Sequence, residues 1–369
     1  VSTIRVIQPT VGGGFGAKIV EERSSLIAAF LATRVDRPVR LCLSRLEDFQ
    51  SGCFSVPCRI WLKMGMKRDG TILAKDVRIL ADCGAYAGLA PEVMLVTAMR
   101  SDNLQRIENV RSLAQLVYTN AMPRGAFRGF GGTQMSFALN SHIGVMADML
   151  GMDPIELHRK NAVRSGDVSI HGWNIGSCGL SECLDQVSTA IGWEQKRNRP
   201  KDKGVLRRGI GMAAAMHVSG NRTMGNWDGS TVVLKVNEDG RAVILSAESD
   251  MGQGANTMLA QICAEELGIP LSHVTVQAPD TDSAPFCLGS LASRVTINAG
   301  NAMLRAARQA RGQILEAAAE KLGCPASELT IADGNVQSQS NANLFTPLPD
   351  ICRFHIFRHG GEGIHVRTT

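Results

Sequence analysis

Four glycine-rich segments are the parts of this sequence whose residue types and spacing best suit ligand chemistry. They span residues 11–18, 120–134, 250–254 and 289–294. Each precedes a helix-like pattern, so its backbone N–H groups and the positive end of a helix dipole would face a ligand outside the chain. Such loops bind anions or polar heterocycles, and several of them in one chain indicate one extended, enclosed ligand.

The first of these segments has neither of the common phosphate-binding spacings. Residues 12–18 lack the G-x-G-x-x-G pattern, and a P-loop would need glycine at Ala17 and serine or threonine at Ile19. For any single loop, the alternative is that its glycines only permit close packing of a helix on a strand. A generic α/β phosphate-binding enzyme is a further alternative, and it would require a nucleotide as the ligand.

The composition excludes several other classes of protein. The 369 residues carry a net charge of +5 without a long basic run, which argues against nucleic-acid binding. No apolar stretch reaches the ~20 residues of a membrane span, so we expect a soluble protein. The ten cysteines include no Cys-x-x-Cys pair, which gives little support to a zinc or iron–sulfur site held by this chain. Several cysteines lie in apolar segments, and buried free thiols favour a cytoplasmic location.

Strands and helices must position these loops, and hydrophobic periodicity predicts both. The predicted strands are residues 3–8, 38–43, 59–66, 71–80, 232–236, 242–247 and 274–278, with hairpin turns at 67–70 and 239–240. The predicted helices are residues 20–33, 135–150, a helix from the 250–254 loop to 267, residues 297–321, and a short helix that Asp153 and Pro154 begin. A looser pattern after Arg164 predicts a first lobe at 1–165, a connector at 166–208 and a second lobe at 209–369.

Four motifs, in this order, resemble the molybdenum-cofactor-binding subunit of the xanthine dehydrogenase and aldehyde oxidase family. They are Gly-Gly-Phe-Gly-Ala-Lys at 13–18, Pro-Arg-Gly-Ala-Phe-Arg-Gly-Phe-Gly-Gly-Thr-Gln at 123–134, Met-Gly-Gln-Gly at 251–254 and Ser-Leu-Ala-Ser at 290–293. The resemblance runs from Val1 to about Gly334. It implies an α+β fold of two mixed sheet-and-helix lobes with a molybdopterin between them, in some members as the cytosine dinucleotide. The pterin dithiolene, and no protein side chain, would bind the molybdenum.

The resemblance also implies roles for individual residues of the four motifs. The expected contacts to the molybdenum, through backbone groups or side chains around its ligands, are Phe15, Arg128 and Ala292. The other expected cofactor-binding residues are Gly14, Gly16, Met251, Gly252, Gln253, Gly254, Ser290, Leu291 and Ser293.

The residues by themselves leave plainer alternatives open. Phe15 and Met251 are also of a type that fills cores, and Arg128 could be a packing or surface arginine. Gln253 could instead cap the helix that follows it.

Four positions bear on the substrate that the resemblance implies. Purine-oxidising members carry a glutamate and an arginine where this chain has Ile19 and Val96. Neither apolar side chain can hydrogen-bond a purine, which favours an aldehyde or an aromatic heterocycle, with xanthine dehydrogenase proper as the alternative. Phe130 resembles an aromatic residue that sandwiches a flat substrate, or else it belongs to the core. Gly129 stands where carbon monoxide-oxidising relatives have cysteine, which disfavours that activity.

The catalytic base of the family, a glutamate in a Gly-x-Gly-Glu segment near the C-terminus, is not found in this sequence. Glu362 lies in Gly-Glu-Gly, and we do not assign it that role. The chain begins almost at the first loop and no longer resembles the family from Cys352 onward, so we expect it to be incomplete at both ends. Either a companion chain supplies the base, or the chain is a cofactor-binding remnant without turnover.

Electrons that leave the molybdenum would need a route that this sequence does not provide. It has neither iron–sulfur cysteine spacing nor a dinucleotide fingerprint. The resemblance therefore implies an iron–sulfur subunit, an FAD subunit and a hetero-oligomer that acts on a small-molecule substrate.

Overall fold

The computed structural model of the chain describes residues 3–19, 23–198, 204–217, 219–220, 228–341 and 343–369. The chain divides into two compact units. The first unit is Phe15–His217, and the second unit combines Val1–Gly14 with Val218–Thr369. The extreme N-terminal segment groups with the second unit because the side chain of Arg5 binds Asp280 and the N–H of Val6 donates to the hydroxyl of Thr281.

The first unit contains seven helices and five strands among its described residues. In chain order they are α1 (Arg23–Val35), α2 (Arg45–Ser51), β1 (Phe54–Ser55), β2 (Cys58–Met66), β3 (Ile72–Gly84), α3 (Ala90–Met99), β4 (Asn109–Tyr118), β5 (Arg124–Gly125), α4 (Gly132–Leu150), α5 (Pro154–Asn161), α6 (Leu180–Ile191) and α7 (Trp193–Arg197).

A three-stranded sheet, in the order β2, β3, β4, supports the first unit. β2 runs antiparallel to β3, and β4 runs parallel to it. The alternating burial along β3 directs Val77 and Ile79 into a core that also contains Val93 of α3 and Met135 of α4. This packing fixes the N-terminal end of α4, where the glycine-rich loop 123–131 enters the helix.

Several local predictions for the first unit are confirmed. Residues 67–70 form the hairpin turn between β2 and β3, closed by the N–H of Gly70 on the carbonyl of Lys67. Asp153 caps α5 by accepting from the N–H of Ile155 at 2.7 Å. The predicted helix 135–150 begins three residues earlier, at Gly132, and the predicted helix 20–33 corresponds to α1, with residues 20–22 outside the described part.

Two predicted strands are wrong. Residues 38–43 form no strand in the described structure, and residues 3–8 contribute only a single bridge between Ile7 and Asp280. An alternating pattern becomes a strand only when a neighbouring backbone supplies its hydrogen bonds, and no described residue provides such a neighbour for residues 38–43. Conversely, α3 was not predicted because it is apolar on most sides, and β4 was not predicted because most of its side chains are exposed.

Asn140 of α4 holds the end of the first unit's chain in place. Its Nδ2 donates to the carbonyl of Ala214 at 2.9 Å, and its Oδ1 accepts from the N–H of Ala214 at 2.9 Å. The same Nδ2 also donates to the carbonyl of Ser136. A single side chain thus satisfies both backbone groups of Ala214, which lies 74 residues away.

Replacing Asn140 with alanine is expected to lower the free energy of unfolding by about 1–3 kcal/mol, because both polar groups of Ala214 lose their partner. Chemical denaturation measures this change. Asn301→Ala is the matched control, because Asn301 makes only a local bond to Ile297 and is exposed. An Asn140→Ala protein as stable as the control would contradict the proposed anchoring of the 204–217 segment.

The second unit contains three helices and seven strands among its described residues. They are β6 (Val232–Val236), β7 (Ala242–Ser246), α8 (Ala255–Leu267), β8 (Val274–Gln277), α9 (Val295–Leu322), β9 (Leu329–Ala332), β10 (Asn335–Ser338), β11 (Phe345–Pro347), α10 (Leu348–Arg358) and β12 (Ile364–Thr368).

A four-stranded sheet, in the order β12, β6, β7, β8, forms the second unit's main layer. Along α9, seven of the ten buried residues are alanines, and these small side chains let α8 and the sheet approach the helix closely. The predicted hairpin across residues 239–240 and the helices to residues 267 and 321 are confirmed, within two residues at each end for the last helix. β12, which follows Cys352 in the chain, pairs along its whole length with β6 and therefore belongs to the unit's main sheet.

Candidate functional site

The carboxylate of Asp250 organises the 250–254 loop at the start of α8. Its Oδ1 accepts from the N–H groups of Gly252 at 2.9 Å and Gly254 at 3.4 Å, and its Oδ2 accepts from the N–H of Asn256 at 3.0 Å. These bonds, above all the one from Gly252, hold the pKa of the Asp250 carboxyl below its ordinary value of 3.8. Sequence reasoning missed this residue as a loop organiser, although aspartate before a glycine-rich helix start was its visible signal.

The side chain of Gln253 hydrogen-bonds to the backbone of its own loop. Its Oε1 accepts from the N–H of Met251 at 2.7 Å, and its Nε2 donates to the carbonyl of Ser249 at 2.8 Å. The alternative that Gln253 caps α8 is therefore wrong, because Asp250 performs that task. A contact between Gln253 and a pterin stays a prediction.

The 250–254 loop also contacts the N-terminal glycine segment. A Cβ on Gly14 would lie 2.8 Å from the sulfur of Met251, so the thioether lies directly against the backbone of Gly14. The side chain of Gln8 donates to the carbonyl of Asp250 at 2.8 Å. Two of the four predicted segments thus contact each other within the second unit. Met251 of the 250–254 loop makes this contact by packing on Gly14 of the N-terminal segment.

Replacing Asp250 with alanine is expected to lower stability by on the order of 1 kcal/mol, because three loop N–H groups lose their common acceptor. The folded-state pKa lies below 3.8, so this contribution is present at neutral pH and disappears as the pH falls below that value. Denaturant unfolding of the wild type, Asp250→Ala and Asp250→Asn at pH 7 measures the effect. Asp250→Asn keeps one acceptor oxygen and should lie between the other two. Equal stability of all three would contradict the role of the carboxylate.

The 289–294 loop carries two residues in a strained backbone conformation. Ala292 has a φ of 48° and Ser293 a φ of 53°, in the left-handed region that side chains other than glycine rarely adopt. The hydroxyl of Ser290 donates to the carbonyl of Ser249 at 2.8 Å and to Glu248 at 3.2 Å, which ties this loop to the 250–254 loop. Among the described residues, no acceptor faces the N–H groups of Ala292 and Ser293.

A buried ion-pair network lies beneath this loop. The guanidinium of Arg294 is fully buried and donates to Glu248 at 2.9 Å, to Asp228 at 2.6 Å and to the carbonyl of Gly289 at 3.2 Å. Glu248 also accepts from the hydroxyl of Ser230. Sequence reasoning missed this network, because only folding brings Arg294 and Glu248 together from positions 46 residues apart.

Two predicted segments also meet within the first unit. A Cβ on Gly16 would lie 2.7 Å from the carbonyl oxygen of Ala126, so only glycine permits this approach of the two backbones. The neighbouring Phe15 has a φ of 55° and a largely exposed side chain, which excludes the core alternative for it within the described residues. Ile19, whose N–H closes a turn on the carbonyl of Gly16, is exposed.

The 127–132 loop presents Arg128 outward. The side chain is exposed, and within the described part of the chain it makes no ion pair or hydrogen bond. Gly131 lies so close to Val93 that a Cβ would be 2.4 Å from the carbonyl oxygen of that residue, so the loop is pressed onto α3. The guanidinium of Arg128 is therefore held at the surface with its donors unused.

The two other predicted substrate residues lie deeper. Phe130, with a φ of 46°, is half-buried and packs against the core between the sheet and α3. Val96 lies on α3 and is only 4% exposed. The structure thus shows core packing for both side chains, and their contact with a substrate stays a prediction.

Backbone strain is concentrated at the predicted cofactor loops. Six described residues other than glycine have a positive φ, namely Phe15, Asp36, Phe130, Ala292, Ser293 and Asp333. Four of the six are residues that the motifs had singled out. Because each such conformation costs about 1–3 kcal/mol and persists only where surrounding structure enforces it, its clustering is typical of ligand-binding sites.

The cavities and side-chain clusters of the described residues indicate no other ligand site that includes the predicted residues. Two surface cavities of about 540 and 600 Å³ lie in the first unit near β3 and residues 160–170, and no predicted site residue lines them. The described side chains form no cluster of three or more His, Cys, Asp or Glu residues that could hold a metal ion. None of the described helices is both long and apolar enough to cross a bilayer.

Comparison with known families gives two matches that together cover most of the chain. Both are described as a molybdopterin cofactor-binding domain, one at residues 1–162 and the other at residues 186–365. The second match extends beyond Gly334 and includes the segment after Cys352, so the expectation that this segment departs from the family is wrong.

The similar curated proteins include subunits and enzymes of the molybdenum hydroxylase type. The xanthine dehydrogenase molybdenum-binding subunit of Escherichia coli O157:H7 is 35% identical over 341 residues, which are 91% of this chain and 45% of that protein. The aldehyde oxidoreductase of Megalodesulfovibrio gigas is 29% identical over 79% of this chain and 32% of its own length. The chain thus spans less than half the length of these relatives.

Solved structures show the same fold. Quinoline 2-oxidoreductase from Pseudomonas putida 86 superposes with a TM-score of 0.86 at 24% identity, over 99% of this chain and 49% of that one. The Cu,Mo carbon monoxide dehydrogenase superposes with a TM-score of 0.84 at 23% identity, over 100% of this chain and 49% of that one.

Proposed function

The chain belongs to the molybdenum-cofactor-binding subunits of the xanthine dehydrogenase and aldehyde oxidase family, and from this premise we propose that it binds a molybdopterin as part of a C–H hydroxylase. When bound, the molybdenum cofactor supplies the insertion of water-derived oxygen at a C–H bond and accepts two electrons.

The observation that carries the proposal is the strained backbone at Phe15, Ala292 and Ser293. In the second unit, the N–H groups of Ala292 and Ser293 donate to no carbonyl of the described residues, so they would be available to hold a polar atom of the bound cofactor. The bonds around Asp250 and Ser290 hold these donors in place before any ligand arrives. Cofactor binding would therefore require little loss of conformational entropy in these loops.

In the first unit, Arg128 supplies a positive charge that an anionic ligand could use. Its guanidinium is exposed and without a protein partner in the described structure, so it can bind an anionic group of the cofactor in a bidentate manner. Phe15 and Gly16 lie at the close approach to Ala126 and bring a second loop beside it. The residues present therefore fit an anionic, multiply hydrogen-bonded cofactor whose metal is held by the cofactor itself.

For the substrate, we propose an aldehyde or an aromatic heterocycle with few polar atoms. Ile19 is exposed at the first loop and cannot hydrogen-bond a substrate, and Val96 is buried and apolar. Purine oxidation is the second candidate, because the similar proteins include xanthine dehydrogenase subunits. We further propose that the cofactor carries a cytosine dinucleotide, that an iron–sulfur subunit and an FAD subunit accept the electrons, and that the assembly is cytoplasmic.

The test is elemental and pterin analysis of the protein purified from its source together with the chains that accompany it. We expect about one molybdenum and one pterin per chain and iron in the accompanying subunits, in line with cofactor-dependent hydroxylases. Spectral reduction by an aldehyde or a pyridine carboxylate, but not by xanthine, would support the proposed substrate class. A preparation without molybdenum, pterin or an iron–sulfur partner would overturn the hydroxylase proposal in favour of a remnant without turnover.

A further inference from the structure

Helix α10 ends with two histidines whose rings contact each other. His359 follows His355 by four residues, and its N–H donates to the carbonyl of His355 at 2.9 Å, so one helical turn separates the pair. The ring centroids lie 4.4 Å apart and the ring planes are tilted by 36°. Two imidazoles are therefore presented side by side at the C-terminal end of this helix.

The separation of the rings fits two imidazoles bound to one metal ion. An imidazole nitrogen lies about 2.0–2.1 Å from a zinc ion, so two rings at adjacent coordination positions have their centroids roughly 4.5 Å apart. Two histidines four residues apart on one helix face are also the arrangement that zinc-binding helices use. The Nδ1 atom of His355 is buried and has no hydrogen-bond partner among the described residues. This leaves Nε2 as the nitrogen that an ion can reach.

The turn after α10 places a carboxylate beside the pair. Gly360 and Gly361 adopt φ values of 64° and 96°, which reverse the chain, and the N–H of Glu362 donates to the carbonyl of His359 at 3.2 Å. The carboxylate of Glu362 is close enough to His355 to act on the pKa of its imidazole. The last carbonyl groups of a helix carry partial negative charge as well. Both effects favour a bound cation at this position.

The imidazole of His355 is also in the form that binds metal ions. Burial, and after it the neighbouring His359, hold the pKa of His355 below its ordinary value of 6.5, although Glu362 acts in the opposite direction. The ring is thus neutral at pH 7. A neutral imidazole binds a metal ion without first losing a proton.

Two arginines on the same helix are already paired with carboxylates. Arg358 binds Glu320 at 2.5 Å, and Arg353 binds Asp350 at 2.6 Å. Because each positive charge has a counter-charge beside it, the repulsion that a bound cation would meet is reduced.

We propose that His355 and His359 bind one divalent ion of the late first-row transition metals, with water at the remaining coordination positions and Glu362 as a nearby counter-charge. Imidazole suits copper, nickel and zinc, and the general order of affinities places Cu²⁺ above Zn²⁺ at such a site. A closed structural site would need more ligands from the protein, and the described side chains offer no group of three or more. The ion is therefore exchangeable. None of the residues assigned to the molybdenum cofactor takes part, so the inference goes beyond the proposed function and does not depend on it.

Titration of the metal-free 369-residue chain with Zn²⁺ alone and with Cu²⁺ alone, followed by calorimetry, measures the binding. The exposed thiols of Cys42 and Cys183 are first alkylated, because they would otherwise bind the same ions. We expect one ion per chain and tighter binding of Cu²⁺ than of Zn²⁺. The thermal midpoint should rise in the presence of Zn²⁺, because a ligand of the folded state stabilises it. The electron paramagnetic resonance spectrum of bound Cu²⁺ should show nitrogen splitting from two imidazoles.

A single substitution tests the assignment against a matched control. His359→Ala removes an exposed ring, so the metal-free variant should unfold at the wild-type temperature. We expect it to bind Zn²⁺ at least tenfold more weakly, with one imidazole nitrogen missing from the Cu²⁺ spectrum. His273→Ala is the control, because His273 belongs to the same unit and contacts no other histidine ring in the described structure. It should bind both ions as the wild type does.

Wild-type affinity in His359→Ala would overturn the proposal and show that the two rings only stack. Absence of saturable binding by either ion, or equal weakening in His273→Ala, would overturn it as well, because the ions would then bind unspecifically. None of these results depends on molybdenum or pterin content, so failure of the metal site leaves the proposed function intact. A preparation without molybdenum in which the pair still binds one ion would support the metal site while the hydroxylase proposal failed.

Discussion

Arg294→Met is expected to lower the free energy of unfolding of the second unit by about 3–5 kcal/mol, because it leaves a buried carboxylate without its counter-charge. Arg294 is 0% exposed and Glu248 is 1% exposed, so water cannot replace the lost partner. The guanidinium also binds Asp228 and the carbonyls of Gly229 and Gly289. Methionine approaches the volume of the side chain but donates no hydrogen bond.

Chemical denaturation of the wild type and the variant measures this loss. Arg353→Met is the matched control, because Arg353 is exposed and its pair with Asp350 is a surface i,i+3 contact, worth about 0–1 kcal/mol. The double variant Arg294→Met with Glu248→Met removes both buried charges and should recover part of the stability. A loss below about 1 kcal/mol for Arg294→Met would show that the network does not stabilise the loop above it.

Replacement of Arg128 is expected to have a large effect on cofactor binding and a small effect on the stability of the fold. Arg128→Ala is expected to reduce bound molybdenum and pterin at least tenfold, while the thermal midpoint of the cofactor-free protein changes by about 1 °C or less, since exposed side chains without partners contribute little to stability. The reason is that Arg128 has no protein partner within the described residues, so its loss is felt only when an anionic ligand binds. Metal analysis of the purified assembly measures the bound cofactor, and a thermal scan of the cofactor-free protein measures its stability.

Arg68→Ala is the control for this variant, because Arg68 is an exposed arginine in the turn between β2 and β3. Arg128→Lys should fall between the wild type and Arg128→Ala, because lysine keeps the charge but not the planar pair of donors. Unchanged occupancy in Arg128→Ala would contradict the assignment of this residue. A lower thermal midpoint of the cofactor-free Arg128→Ala protein would indicate a structural role instead.

The glycine-rich loops could be located from sequence because their signals are local. The segment 250–254 contains its own turn residues and is followed directly by a helix. The hydrogen bonds that Asp250 accepts, as far as the one from Asn256, all lie within seven residues. The hairpin at 67–70 and the cap of Asp153 are predictable for the same reason. Helix periodicity identified α4, α8 and α9 because each buries one face or more against a core.

The strand predicted at residues 38–43 shows where local reasoning ends. The alternation there is a property of the sequence, but a strand also needs a neighbouring backbone, and no described residue provides one. The same pattern, with its neighbour present, forms β2 at residues 58–66.

By itself, the sequence determined the loops, their order, the helices that begin at them and the family to which they point, because each depends on residues close together in the chain. Only the tertiary structure decided which contacts between distant residues hold those loops and the 204–217 segment in place. Asn140 meets Ala214 across 74 positions, and Arg294 meets Glu248 across 46. Such contacts depend on how the sheets and helices pack. The amino-acid sequence alone does not show which residue will pair with a buried charge, because the two residues become neighbours only when the core forms.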